Sequence, residues 1–386
     1  MISTPLGDVA EMIRGAVELE HVGDGLAPRR LPAWTRQQQA DRWIELWSAQ
    51  TVGVHLVTVT AASSIRLVLS VTQMVPPDRQ TPPFGCSVVA TIAGEPVARA
   101  SIDDGPLVLW KADRTWQEVD GPVSQVILEL PAAAQAREVQ VWLPHNAATV
   151  IHEIQSDAPL NPPPAATRPR WIHHGSSVSH CLEASDPLSP WPQIVARSLG
   201  VDLTNLAIAG NAQLDPFVAR TIAGQPADVI SLKLGVNIVN GDTMRRRAFV
   251  PALHGFLDLV REGHPSTPIV VLGPIACPAI EHTPGPTRKL ADGYYQGTPR
   301  EVLDGDGTLT LSLVRDLVRE AVESRAQSDA LLWGDDGLSL FGADDAPLLW
   351  DGLHPNQAGY DLIAARFAAR AADPGTGVGA AFSRLA

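Results

Sequence analysis

The chain has 386 residues, 45% of them hydrophobic and 18% charged, which is enough length for two or three domains and enough apolar content to bury a core. A formal net charge of −13 argues against nucleic acid and anionic membranes as partners, because an acidic surface is repelled by phosphate. Three cysteines, Cys86, Cys181 and Cys277, are too few and odd in number for a disulfide framework.

The opening stretch, MISTPLGDVAEMIRGAVELE, mixes acidic and apolar residues and has neither the basic start nor the apolar centre of a signal peptide. No apolar run approaches the roughly 18 residues that a membrane span needs. The expected location is the cytoplasm. Residues 51–72, TVGVHLVTVTAASSIRLVLSVT, then alternate in the manner of strands and are rich in Val, Thr and Ile. Similar short runs follow in CSVVATIAG, PLVLW, SQVILEL and EVQVWLP, separated by turn clusters such as PPDRQTPPFG. Many short strands predict an all-β, jelly-roll-like sandwich. The tryptophans of this half (Trp34, Trp43, Trp47, Trp110, Trp116, Trp142) could form a platform for a sugar, but core packing is the commoner use.

The Pro-rich segment at residues 161–170, NPPPAATRPR, leaves no room for a helix and reads as a linker. The predicted domains are therefore 1–165 and 166–386. The second half alternates strand and helix. RWIHHG, VDLTNLAIAG, DVISLKLG, PIVVLGPI and ALLWG each fit a strand buried on both faces. Between them, TMRRRAFVPALHGFLDLVRE places Phe249, Leu253, Phe256, Leu257 and Val260 on one helical face, and TLSLVRDLVREAVESRA is a second helix. This alternation predicts an α/β domain of three layers, α/β/α, with a flavodoxin-like parallel sheet. The region from Ala276 to Gly307 is long and rich in Pro and Gly, as lids and binding loops often are.

Ligands of open parallel sheets bind beyond the carboxyl ends of the strands, and four polar blocks fall at such ends. The first strand runs into His174-Gly175-Ser176-Ser177-Val178-Ser179-His180. The second ends in Ala209-Gly210-Asn211, the third in Gly235-Val236-Asn237, and after the last comes Trp350-Asp351-Gly352-Leu353-His354-Pro355. A serine hydroxyl needs an adjacent base to become a nucleophile, an imidazole is the natural base near neutral pH, and a carboxylate orients that imidazole. The three-residue spacing lets Asp351 and His354 share one tight turn, and Pro355 suits the first position of a helix from Asn356 to about Ala371. Three histidines, His173, His174 and His180, crowd the first block. His173 and His174 should point to opposite faces of their strand, which disfavours a metal site, so no metal is expected. His174, His180 and Trp350 are candidates to line a substrate pocket. Cys181 reads as a small core residue, Asp215 as a helix-start acid and Asp228 as a strand-edge residue.

The four blocks, in this order, resemble the SGNH (GDSL-type) hydrolase family over most of residues 171–370. The resemblance implies Ser177 as nucleophile, by matching Gly175-Ser176-Ser177-Val178 to Gly-Asp-Ser-Leu, with Asp351 and His354 completing a triad. It also implies Ser177, Gly210 and Asn237 as the oxyanion hole, with donors at the Gly210 amide and the Asn237 side chain. Two departures stand out. Ser176 replaces the Asp of the motif, leaving two adjacent candidate serines, and Ile238 follows Asn237 where the family often has Asp. The accessory sandwich together with HHGSSVSHC, NLAIAGN, GVNIVNG and DGLHPN is similar to a branch of the family found in bacterial secondary metabolism. That similarity implies an O-acyltransferase that needs no cofactor, takes an acyl group from a thioester such as an acyl-CoA, and passes it to a polyketide hydroxyl. The partners are then small molecules, the donor and the acceptor. A carboxylesterase or deacetylase uses the same constellation with water as acceptor. A carbohydrate-binding protein with an idle hydrolase fold is the non-catalytic rival, and the intact triad argues against it.

Overall fold

The computed structural model describes residues 1–111, 115–164, 168–298 and 305–385. The chain divides into two compact units, Met1–Arg168 with Ala184–Gln193, and Pro169–Glu183 with Ile194–Ala386. The boundary read between residues 165 and 166 lies outside the described residues, as do residues 299–304 of the long loop after Ala276.

Among the described residues, the first unit contains an eight-stranded and a five-stranded sheet. The central strand of the larger sheet, Ser64–Val75, alternates as its sequence predicts. Ile65, Leu67, Leu69 and Val71 are buried while the residues between them are partly exposed. It pairs antiparallel with Ala147–Ser156 and with Ser124–Glu129. The smaller sheet runs in the order Ile13–Arg14, His55–Thr60, Arg137–Trp142, Ser87–Ile92, Glu95–Ser101. Apolar residues of both sheets, including Leu67, Leu69 and Ile151 from one and Leu56, Val88 and Val139 from the other, form one core. Two sheets closed over one core make the expected sandwich. Trp43 packs edge-on against Trp110 and Trp116, with ring centroids 5.1 and 6.0 Å away, and Trp142 stacks on His55 at 4.0 Å. Trp142 is buried, whereas Trp43, Trp110 and Trp116 are partly exposed and pack on one another, and Trp34 is exposed. The excursion Ala184–Gln193 belongs to this unit through Leu188, which packs with Val89 and Trp142, and through Asp186, which pairs with Arg99.

The second unit is built on five parallel strands in the order Asp202–Asn205, Arg170–His174, Val229–Lys233, Ile269–Leu272, Leu332–Asp335. In chain order this is 2-1-3-4-5, the flavodoxin-like arrangement, whose connections change direction between the first and third strands. Val229–Lys233 and Ile269–Leu272 are buried at every position, as strands covered on both faces must be. The helix Arg246–Gly263 buries Phe249, Leu253, Phe256, Leu257 and Val260, the face predicted from its periodicity. Its Phe256 stacks against His174, while Phe367 and Phe382, from the helices Gln357–Ala371 and Gly377–Phe382, pack on Trp171. Trp171 and Phe367 lie on one side of the strand and Phe256 on the other, so helices cover both faces. No helix among the described residues is long and apolar enough to cross a membrane.

Candidate active site

The strand Arg170–His174 leads through Gly175 into a single helical turn, Ser177–His180. Ser176 is the N-cap of that turn, and its hydroxyl accepts the Val178 amide at 3.4 Å. The neighbouring Ser177 turns the other way and places Oγ 3.0 Å from His354 Nε2. Of the two adjacent serines, one therefore serves the backbone and the other meets the imidazole. Cys181 closes the turn in the left-handed conformation, φ 57°, and is fully buried.

His354 is delivered by a short backbone clasp. The Trp350 amide donates to the His354 carbonyl at 3.0 Å, and the Asn356 amide donates to the Leu348 carbonyl at 2.8 Å. Inside the clasp, Asp351 Oδ1 accepts the amides of Leu353 and His354 at 2.9 and 2.7 Å, and Oδ2 lies 2.7 Å from His354 Nδ1. Gly352 takes φ 80°, and a Cβ there would approach Tyr294 to 3.2 Å, so the turn calls for glycine. Pro355 is not the first residue of the following helix as expected. It sits in a bridge with Leu349, and the helix starts at Gln357 behind Asn356, whose Oδ1 accepts the Gly359 amide at 3.0 Å. The Asn side chain supplies the cap that a proline cannot.

A carboxylate can only accept, so Asp351 holds the proton on Nδ1 and leaves Nε2 as an acceptor facing the Ser177 hydroxyl. Burial acts to lower the His354 pKa, but the charge of Glu183 and the bond and charge of Asp351 outweigh it and raise the value above that of an ordinary imidazole. Burial likewise acts to raise Asp351, and the contacts with His354 and two backbone amides overcome it, so its carboxyl is held below the usual range. Asp351 is 2% and Ser177 7% exposed, so both sit in a medium that strengthens these interactions.

The second and third blocks reach the same edge of the sheet. Ile208 donates its amide to the Gly175 carbonyl at 2.9 Å, which ties the Ala209-Gly210 turn to the base of the Ser177 turn. Gly210 is exposed and adopts φ 70°, a conformation open to glycine. Asn237 lies on the short helix Val236–Gly241 that follows the third strand. Its Oδ1 accepts the Ala212 amide at 3.0 Å, which leaves the NH₂ end as its donor. Ser177 and Asn237 thus follow the first and third strands, on either side of the point where the sheet changes direction.

The three residues expected to line a pocket are placed differently. Trp350 is 39% exposed, next to Asp351. His174 is buried, with Nδ1 2.8 Å from the Leu206 carbonyl and its ring against Phe256, and His180 is also fully buried. Neither histidine presents a surface to a ligand, because the strand and turn that carry them face the core. His173, on the opposite face from His174, bridges the hydroxyls of Ser231 and Ser179 at 2.7 and 2.8 Å, and burial holds its pKa well below the ordinary value. One neighbour had no signal in the sequence. Glu183 has Oε1 4.0 Å from His354 Nδ1, and its Oε2 accepts the Tyr360 hydroxyl at 2.7 Å.

A hydroxyl, an imidazole and a buried carboxylate in this relay can generate an alkoxide-like nucleophile at neutral pH. Donors beside the nucleophile can meet the negative charge that grows when a carbonyl is attacked.

Residues 172–362 match the GDSL-like lipase/acylhydrolase family. No curated protein matches the chain. Among solved structures, the chain is similar to the salicylyl-acyltransferase SsfX3 from a tetracycline biosynthetic pathway, at 25% identity and a TM-score of 0.75, over 93% of this chain and 92% of that one. It also shares its fold with a protein described as a GDSL-like lipase from Bacteroides ovatus, at 18% identity and a TM-score of 0.64 over 96% of both chains. A family two carbohydrate esterase from Clostridium thermocellum shares the fold at 16% identity and a TM-score of 0.57, over 84% of this chain and 93% of that one.

Proposed function

We propose, from the match of residues 172–362 to the GDSL-like lipase/acylhydrolase family, that this SGNH enzyme carries an acyl group from a thioester donor to a hydroxyl of a small-molecule acceptor through an acyl-Ser177 intermediate. The observation that carries the reading is the relay itself, Ser177 Oγ to His354 Nε2 at 3.0 Å and His354 Nδ1 to Asp351 at 2.7 Å.

Ser177 Oγ attacks the thioester carbonyl carbon while its proton passes to His354 Nε2. The imidazolium so formed is held by Asp351. The carbonyl oxygen becomes an oxyanion, which takes hydrogen bonds from the Ser177 and Gly210 amides and from the Asn237 side chain. Collapse of this adduct breaks the C–S bond, His354 returns the proton to the departing thiolate, and the acyl group stays on Ser177. The acceptor hydroxyl then gives its proton to His354 as its oxygen attacks the ester, and a second collapse restores the Ser177 hydroxyl.

The likeness to a salicylyl-acyltransferase spans both units of the chain and supports an aryl acyl group and a polycyclic polyketide acceptor. No cofactor is needed for this chemistry. A second reading replaces the acceptor with water and makes the protein a carboxylesterase or deacetylase. It draws on the same relay, which is complete for hydrolysis, and on the acylhydrolase family match. The test is to incubate the protein with a panel of acyl thioesters and analyse its peptides by mass spectrometry. Acylation of the peptide that carries Ser177, absent from Ser177→Ala, is the expected result. Acylation elsewhere, or none with any thioester or ester, contradicts the reading.

A further inference from the structure

We infer that Glu183 is a positioning residue for His354, a second carboxylate that flanks the Nδ1 side of the imidazole and is itself anchored by Tyr360. The inference rests on the reading of Ser177 as the nucleophile and extends it to a residue outside the Asp351–His354 turn.

Glu183 is the last residue of the second unit before the chain leaves for Ala184–Gln193. It follows the left-handed Cys181 by two residues, so the turn that ends the Ser177 helix also brings this side chain to the Nδ1 side of the imidazole. Its side chain is only 8% exposed. An enclosed carboxylate is costly unless something compensates it. The Tyr360 hydroxyl, from the helix Gln357–Ala371, supplies one hydrogen bond at 2.7 Å. The ion-pair partner of Glu183 among the described residues is His354, at 4.0 Å from Oε1.

Asp351 Oδ1 is already occupied by two backbone amides, so its remaining oxygen makes a single contact with the ring. The hydrogen bond from Asp351 to Nδ1 fixes the tautomer, and a second negative group on the same side favours the imidazolium that forms when Ser177 attacks. Other ionisable groups around the pair, among the described residues, include Tyr295, whose ring lies edge-on to His354 at 5.9 Å, Cys181 beside Tyr360, and Cys277 near Asp351. Burial pushes the Cys277 thiol up to about 12 and Tyr360 well above its ordinary value, so neither titrates in the range where His354 works. Burial also pushes Glu183 upward, against the pull of His354, so the two titrate as a pair.

The test is the rate at which a fluorophosphonate labels Ser177 between pH 5 and 9, about the span over which an imidazole titrates. It is read by mass spectrometry on the wild type, Glu183→Gln and Tyr360→Phe. Failure of the wild type to label at Ser177 would sink the nucleophile assignment itself and is thereby distinguished from failure of the present inference. With the wild type labelling, removal of the Glu183 charge should shift the acidic limb of the profile to lower pH and slow the plateau rate several-fold. Tyr360→Phe should shift the limb the same way by less, because loss of the hydroxyl leaves the carboxylate easier to protonate. An unmoved limb in a Glu183→Gln protein that melts like the wild type overturns the inference, whatever happens to the plateau. Should Glu183→Gln fold poorly, Tyr360→Phe decides alone, and an unmoved limb there overturns it equally.

Discussion

His354 Nε2 lies 3.0 Å from Ser177 Oγ although 177 residues of sequence separate them. The parallel sheet sets the Ser177 turn at the end of its first strand, and the backbone clasp from Leu348 to Asn356 aims the imidazole at it. The adjacent Ser176 spends its hydroxyl on the Val178 amide. Ser177→Ala should therefore lower acyl transfer by about 10⁴-fold or more, as loss of a nucleophile does. Ser176→Ala should keep substantial activity and lose about 1 kcal/mol of stability, the usual worth of a cap. Steady-state rates and thermal melts on the two variants check this, and the reverse ranking of activities would shift the nucleophile by one residue.

Asn237 does two jobs with one amide group. Its oxygen accepts from Ala212, and its NH₂ is the donor that the proposed mechanism offers to an oxyanion. Asn237→Ala should reduce kcat by about 100-fold or more with a smaller change in KM, because the donor acts where charge develops. A proportionate rise in KM with kcat intact would mean that the side chain binds the ground state instead.

The pH profile follows from the carboxylates around His354. Activity needs the neutral imidazole, so it rises as pH increases through the His354 pKa. That pKa is raised, because Glu183 and Asp351 together outweigh burial. The acidic limb should therefore lie above that of an ordinary histidine. Asp351→Asn should move the limb to lower pH and cut kcat by about 10⁴-fold, since an amide there no longer enforces the useful tautomer. A limb that stays put in Asp351→Asn would show that another group, or another step, sets the profile.

Much of the second unit was legible in the sequence because its physics is local. All five strands fall within the runs that the sequence marks, and Val229–Lys233 and Ile269–Leu272 are buried throughout, whereas the edge strands Asp202–Asn205 and Leu332–Asp335 are covered only in part. The Asp351–His354 spacing was legible because three residues suffice for the carboxylate to reach both the ring and its backbone. The strand Ala147–Ser156 was not. Its alternation is carried by polar residues such as His152, Glu153 and Gln155, and a bulge between Ile151 and Glu153 breaks the period of two. Glu183 was invisible for a different reason. Nothing near it in sequence marks it, and its partner Tyr360 lies 177 residues away. His174 and His180 look like site residues because they flank Ser177, yet the strand and turn direct both into the core. Proximity in sequence to Ser177 is a poor guide to which side chains surround its hydroxyl.

In the proposed reaction, the choice between transfer and hydrolysis is made after Ser177 is acylated, when an acceptor or water takes the place beside His354. Water is present at about 55 M, so transfer prevails only where a bound hydroxyl is held in attack geometry, for which effective molarities of about 10⁵ M or more are attainable. The most direct test supplies an aryl thioester with a panel of polycyclic alcohols at saturating concentration and measures the ratio of ester to free acid. The account predicts that ester dominates for at least one acceptor and that neither product forms with Ser177→Ala. Free acid as the sole product across the panel would contradict it and leave an esterase.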